Sequence, residues 1–146
     1  MSKFFDNTDL DINKAENIVS STLNKCDDGE LYLEDSKSET IVLDDNKIKN
    51  SSYNSDLGFG FRAITDEIVA YSHSNEISKN SLKQSSENLK STLKFANGVY
   101  NHSIPRSNKK YYENINPIEQ KTINSKINIL NKVNDYLIKK DNNVNQ

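Results

Sequence analysis

The feature that most constrains this chain is a change of hydrophobic period that happens twice. From Asp11 to Cys26 the apolar residues Ile12, Ala15, Ile18, Val19, Leu23 and Cys26 recur at three- and four-residue steps, so they share one stripe of a helix. From Gly29 to His73 the pattern becomes one of short β-branched or aromatic runs, at 30–34, 39–43, 47–49, 58–64 and 67–71. Helical spacing returns after Asn75, with Ile77, Leu82, Ser85, Ser86, Leu89, Leu93 and Ala96 on one side. No helix-length segment separates the strand-forming runs. A parallel crossover needs a dozen or more residues, so neighbouring strands here must pair antiparallel. The order predicts an α+β fold: an antiparallel sheet of about five strands, with an N-terminal helix and a following helix on one face. The other face is left to water or to a partner.

Local signals place the breaks. Asp9 or Asp11 is positioned to accept from the free amides of the first helix, and Asp28-Gly29 to stop it. Ser36-Lys37-Ser38 and Asp44-Asp45-Asn46 are turn candidates, and a very short turn near Asp66 joins Gly58–Ile64 to Glu67–Tyr71 as a hairpin. Asn97-Gly98 ends the second helix. Residues 99–116, with Pro105 inside and Pro117 directly after, and rich in Asn, Ser, Lys and Tyr, read as a linker. Asn116-Pro117 reads as a helix start, and the stripe Ile123, Ile127, Leu130, Val133 and Leu137 runs on to a frayed tail, Lys139 to Gln146. The chain thus divides into a body, 1–98, a linker, 99–116, and a helix with its tail, 117–146. The last helix needs a surface for its stripe: it folds back on the body or opens a further region.

Composition decides whether such a core is affordable. Hydrophobic residues are 34% of the chain and mean hydropathy is −0.82, values that raise the question of disorder. The periodicity answers it. The deficit comes largely from 22 Asn, and 17 Lys against 2 Arg together with 14 Ile is the mark of an A/T-biased genome rather than of a function. A chain of 146 residues buries roughly 68–70% of its unfolded surface, enough to fold without disulfide or structural metal. The single Cys26 has no partner for a disulfide and points to a reducing compartment, hence the cytoplasm. The opening MSKFFDNTDL carries acids where a signal peptide has bases and an apolar run, and no later stretch is apolar enough to span a membrane. Net charge is −2, split as −7 over residues 1–60 and +5 over 61–146, which reads as two solvated faces and gives no overall pull toward nucleic acid.

Catalytic chemistry is hard to assemble from these residues. The two histidines, His73 and His102, have no second His or Cys at ligand spacing, and read as surface or hydrogen-bonded side chains. Cys26 reads as a core thiol on the helical stripe. Gly58-x-Gly60 lies inside a strand-forming run, without the third glycine and the helix that a phosphate cradle requires. Glycines there let a backbone or bulky side chain approach closely. Asp44-Asp45-Asn46 opens like a calcium loop, but Ile48 occupies a ligand position, so a hairpin turn is the better reading. Lys109-Lys110 beside Tyr111-Tyr112 is one basic-aromatic cluster, too little for a single-strand nucleic-acid groove.

The run from Gly29 through Ser78 nevertheless resembles the N-terminal domain of the TldD/PmbA family, and is closer to its TldD branch. Gly29-Glu30-Leu31-Tyr32 matches the first strand after the opening helix, and Val42-Leu43-Asp44-Asp45 and Ile48-Lys49 lie around the next turn. Ser52-Tyr53-Asn54 leads to Gly58-Phe59-Gly60-Phe61-Arg62-Ala63-Ile64, which is similar to the family's Gly-Val-Gly-Val-Arg signature with Phe59 and Phe61 in place of valines. Ala70-Tyr71 and a Ser-rich helix follow. Gly58, Gly60 and Arg62 are the signature positions.

The resemblance implies a part of a zinc metallopeptidase in which a TldD-type subunit works with a TldE/PmbA-type partner on peptides or unfolded polypeptides in the bacterial cytoplasm. The family's zinc motif, His-Glu-x-x-x-His with a further ligand, has no counterpart in these 146 residues. No catalytic, metal-binding or cofactor-binding residue is therefore carried over. The expected role is scaffolding and dimerisation, through a TldE/PmbA-like subunit or self-association, without activity of its own and without nucleic-acid or membrane binding. The alternative is a standalone protein- or peptide-interaction module that uses the sheet.

Overall fold

Asp11 adopts an extended backbone and its carboxylate accepts from the Lys14 amide at 2.8 Å, which starts helix α1, Ile12–Leu23. The structure, a computed structural model, describes residues 3–94, 113, 115–141 and 143–144. A single 3-10 turn, Lys3–Phe5, precedes α1. Then come β1, Asp28–Asp44; β2, Lys47–Thr65; β3, Ile68–Ser74; α2, Lys79–Thr92; and α3, Ile123–Lys140. The fold is α+β. The sheet has three strands in the order β1-β2-β3, and β2 pairs antiparallel with β3 from Phe59 opposite Ser74 to Thr65 opposite Ile68.

Three strands replace the expected five because two of the anticipated breaks do not bend the chain. Ser36-Lys37-Ser38 runs straight through β1, and the polar stretch 50–57 runs through β2, so four short runs become two long ones. A tight hairpin turn needs backbone at positive φ. Only Asp45 at φ 49°, Asn46 at φ 58° and Asp66 at φ 52° supply it in the strand region. The paired positive values at Asp45-Asn46 are those of a type I′ turn, the two-residue connection whose twist suits antiparallel strands.

The end of α1 also differs from expectation. It stops at Leu23, where the Cys26 amide donates to the Leu23 carbonyl at 2.9 Å, and Asp28-Gly29 opens β1 instead of terminating the helix. No glycine among the described residues has positive φ, so Gly29 has none of the left-handed geometry of a helix stop. The expected helix start at Pro117 is displaced as well: Asn116 Oδ1 accepts from the Ile118 amide at 3.0 Å, holding 117–120 in a turn, and Thr122 caps α3 instead. Ala96, Asn97-Gly98, His102, Pro105 and the Lys109–Tyr112 cluster lie outside the described residues.

Two compact units divide the chain. The first comprises Met1–Asp35 with Asp56–Asn108, and the second Ser36–Ser55 with Lys109–Gln146. In the first, α1 and α2 pack on each other and α2 packs on β3. Its core joins Leu10, Ala15, Val19 and Leu23 to Phe59, Phe61 and Ala63 of β2, Ala70 of β3, and Ile77, Leu82, Leu89 and Leu93 around α2. Ser85 and Ser86 let the helix approach closely and satisfy their own hydroxyls. Ser86 Oγ meets Thr22 Oγ1 of α1 at 2.6 Å, and Ser72 of β3 donates to Ser85 at 3.1 Å. Ser78 and, from a distant point in the chain, Asp9 accept from the first-turn amides of Ser81 and Lys79 and so cap α2.

In the second unit α3 runs beside the distal half of the β1-β2 hairpin. Lys126 Nζ donates to the Glu39 carboxylate and, at 2.6 Å, to the Ile118 carbonyl. Asn134 donates to Asn46 in the turn at 2.5 Å, and Lys37 pairs with Glu119 at 3.3 Å. No residue of α3 is fully buried.

Candidate functional site

Alternation along a strand sends successive side chains to opposite faces. In the first unit Phe59, Phe61, Ala63 and Thr65 of β2 are buried, on the face that carries the core. The intervening positions Gly58, Gly60, Arg62 and Ile64 lie on the opposite face, together with Val69, Tyr71 and His73 of β3, which the register sets across from Ile64, Arg62 and Gly60. Gly29, Leu31 and Leu33 of β1 turn toward the core and leave Glu30, Tyr32 and Glu34 outward. This open face is the candidate site.

Its geometry centres on the two glycines and the arginine singled out above. At Gly60 an added Cβ would lie 2.6 Å from the Tyr71 hydroxyl and 3.1 Å from its ring, so the aromatic side chain lies directly across the glycine. At Gly58 it would meet the Ser74 carbonyl oxygen at 2.6 Å and Asn75 Cα at 3.2 Å, both of them backbone. Arg62 sends Nη2 to Glu30 at 2.9 Å and to Asp28 at 3.9 Å. At this exposure such a pair is worth about 0–1 kcal/mol and serves to orient the guanidinium. Tyr71 stacks on His73 with ring centroids 5.9 Å apart. Tyr32, Val69 and Tyr71 stand 58%, 59% and 65% exposed, an apolar and aromatic surface with no described residue covering it. A hydrogen bond to the Glu34 carboxylate, followed by the repulsion of its charge, raises the Tyr32 phenol above its ordinary pKa of 10.0.

The chemistry of a hydrolytic metal does not fit these residues. Among the described residues no three His, Cys, Asp or Glu side chains come together. Cys26 is buried with its thiol toward the Thr22 carbonyl at 3.8 Å, and His73 is engaged with Tyr71. Asp44-Asp45-Asn46 forms the hairpin turn, with Asp44 paired to Lys49 at 3.1 Å. No helix among the described residues is long and apolar enough to cross a membrane. The open face itself was only half readable in advance: the glycines and Arg62 stood out as a motif, whereas Tyr32, Val69, Tyr71 and His73 join them only through pairing between strands.

The class defined by this arrangement is a small α+β domain with helices on one face of an antiparallel sheet and an aromatic, ion-paired surface on the other. Comparison with known proteins assigns it further. Residues 29–96 match the family described as PmbA/TldA metallopeptidase domain 1. The chain is 31% identical over 109 residues to a protein named metalloprotease TldD homolog from Buchnera aphidicola of Acyrthosiphon pisum, covering 74% of this chain and 23% of that one. The homolog from Buchnera aphidicola of Schizaphis graminum is 31% identical over 121 residues, 82% of this chain and 25% of the relative. That of Haemophilus influenzae is 32% identical over 113 residues, with 73% and 23% covered. Through residues 29–96 the chain belongs to the TldD/PmbA family, of which it carries the first domain. It spans about a quarter of the length of the curated relatives it matches.

Proposed function

We propose that this chain is the N-terminal scaffold and dimerisation part of a TldD-like metalloprotease that acts on peptides or unfolded polypeptides in the cytoplasm. Zinc chemistry in such an enzyme is supplied by residues other than those described here, and the chain is inactive by itself. The observation that carries the reading is the open sheet face of the first unit, with Tyr32, Val69 and Tyr71 exposed on a domain whose relatives are named metalloproteases. An apolar surface of this kind is suited to a protein partner. That partner is a TldE/PmbA-like subunit or a second copy of this chain, and nucleic acid and membrane are not among its ligands. The same face supports the second reading, a standalone interaction module that binds protein or peptide through the sheet.

The deciding experiment measures zinc content, cleavage of a flexible peptide and co-elution, for the 146-residue protein alone and mixed with a TldE-type subunit. The expected outcome is no stoichiometric zinc, no cleavage by the chain alone, and a shift in elution on mixing. Tightly bound zinc with cleavage by the chain alone overturns the proposal.

A further inference from the structure

The edge of β3 that faces away from β2 has properties that the open face does not explain. Thr65 and Ile68 close a two-residue turn and therefore exchange hydrogen bonds, so Ala70 and Ser72 also bond to β2. The alternate residues Val69, Tyr71 and His73 must then direct their N–H and C=O groups away from β2, toward the edge of the sheet. No described strand flanks that edge. Edge strands are usually protected by charge, proline or bulges. β1, the other edge, carries Asp28, Glu30, Glu34 and Asp35 in its first eight residues, while β3 reads Ile-Val-Ala-Tyr-Ser-His-Ser with no charged residue and no proline.

Charge then states what kind of strand fits. Between Arg62 and Lys79 the chain carries the acids Asp66, Glu67 and Glu76 and no Lys or Arg, so acids flank both ends of β3, while Arg62, opposite Tyr71, is already paired with Glu30. We propose that the β3 edge is a docking site for an extended polypeptide segment with an apolar, β-branched centre and basic flanks, which adds to the sheet as a fourth strand. Main-chain bonds to Val69, Tyr71 and His73 provide the pairing. Alternate side chains of the added strand lie beside the stacked Tyr71 and His73 on the open face, and its flanking lysines meet Glu67 and Glu76. The site depends only on how this chain folds, so failure to bind a TldE-type subunit leaves it untouched.

The test is amide hydrogen exchange on the whole chain with a synthetic peptide, Lys-Lys-Val-Thr-Val-Thr-Val-Lys-Lys. At saturation, exchange at Val69, Tyr71 and His73 is expected to slow by about tenfold or more, with Ala70 and Ser72 unchanged because β2 already protects them. Glutamate in place of the four lysines should abolish binding, as should N-methylation of alternate peptide nitrogens. Val69→Pro removes one outward N–H without touching the β2 ladder and should also abolish it. The N-methylated peptide gives the same information without a protein variant that has to fold. Absence of binding, binding without protection of the three amides, or equal binding of the acidic peptide overturns the proposal.

Discussion

Helices α1 and α3 look alike in sequence, each with an apolar stripe and a side-chain cap, yet they end in different surroundings. Asp11 caps α1 and Thr122 caps α3, both by accepting from the amide three residues on. In α1, Ala15, Val19, Thr22 and Leu23 are buried, whereas α3 buries none of its residues and leaves Val133 and Leu137 50% and 43% exposed. Amphipathic spacing and a cap are enough to specify a helix; burial is conferred by what the stripe meets. The first unit offers α1 the apolar residues of β2, β3 and α2. The second offers α3 one hairpin, to which polar links tie it, Lys126 to Glu39 and Asn134 to Asn46.

The contrast breaks most visibly at Phe61, which is completely buried. Phe61→Ala is expected to cost about 3–5 kcal/mol, a large part of the roughly 5–15 kcal/mol that holds an ordinary domain together, and the thermal transition should move to a much lower temperature or lose its cooperativity. A second test separates Gly58 from Gly60. Gly58→Val drives a Cβ into the Ser74 carbonyl and should cost about 1–3 kcal/mol, while Gly60→Val meets the exposed Tyr71 ring, which can swing aside, so it destabilises less. Denaturant midpoints of the two variants measure the difference.

Smaller effects sharpen the comparison. Thr22→Val keeps the shape of the α1-α2 contact but leaves the buried Ser86 hydroxyl without its partner, for an expected loss of about 1–2 kcal/mol by chemical denaturation. Asp11 has a pKa below the ordinary 3.8, chiefly because the Lys14 amide bonds its carboxylate. Its capping contribution is therefore fully present above that value and is lost as pH falls below it through the folded-state pKa. Acid titration of helicity should show this step, and Asp11→Asn should remove it. Val133→Ala in α3 should shift stability by less than about 0.5 kcal/mol, and removing 117–146 should leave the first unit with its cooperative transition.

The sequence-based reading succeeded where one local condition decides the structure. Asp45-Asn46 and Asp66 were legible as turns because Asn and Asp tolerate positive φ, and the α1 and α2 stripes because helical periodicity is a property of one segment. It failed at Ser36-Lys37-Ser38, whose residue types suit a turn but whose backbone is held extended by a partner strand. It failed also at Pro117, where the Asn116 side chain favours a turn over a helix cap. Arg62 was visible as part of a motif, but its pairing with Glu30 was not, since ion pairing depends on strand register.

The order of elements, their antiparallel pairing and the amphipathic stripes follow from spacing within a few residues, and the family from a run of matched residues. Packing between distant segments makes three strands of five short runs, buries α1 but not α3, and lays Tyr71 across Gly60 on an open face. Those outcomes depend on contacts between residues distant along the chain, whose free energy exists only once the strands and helices have met.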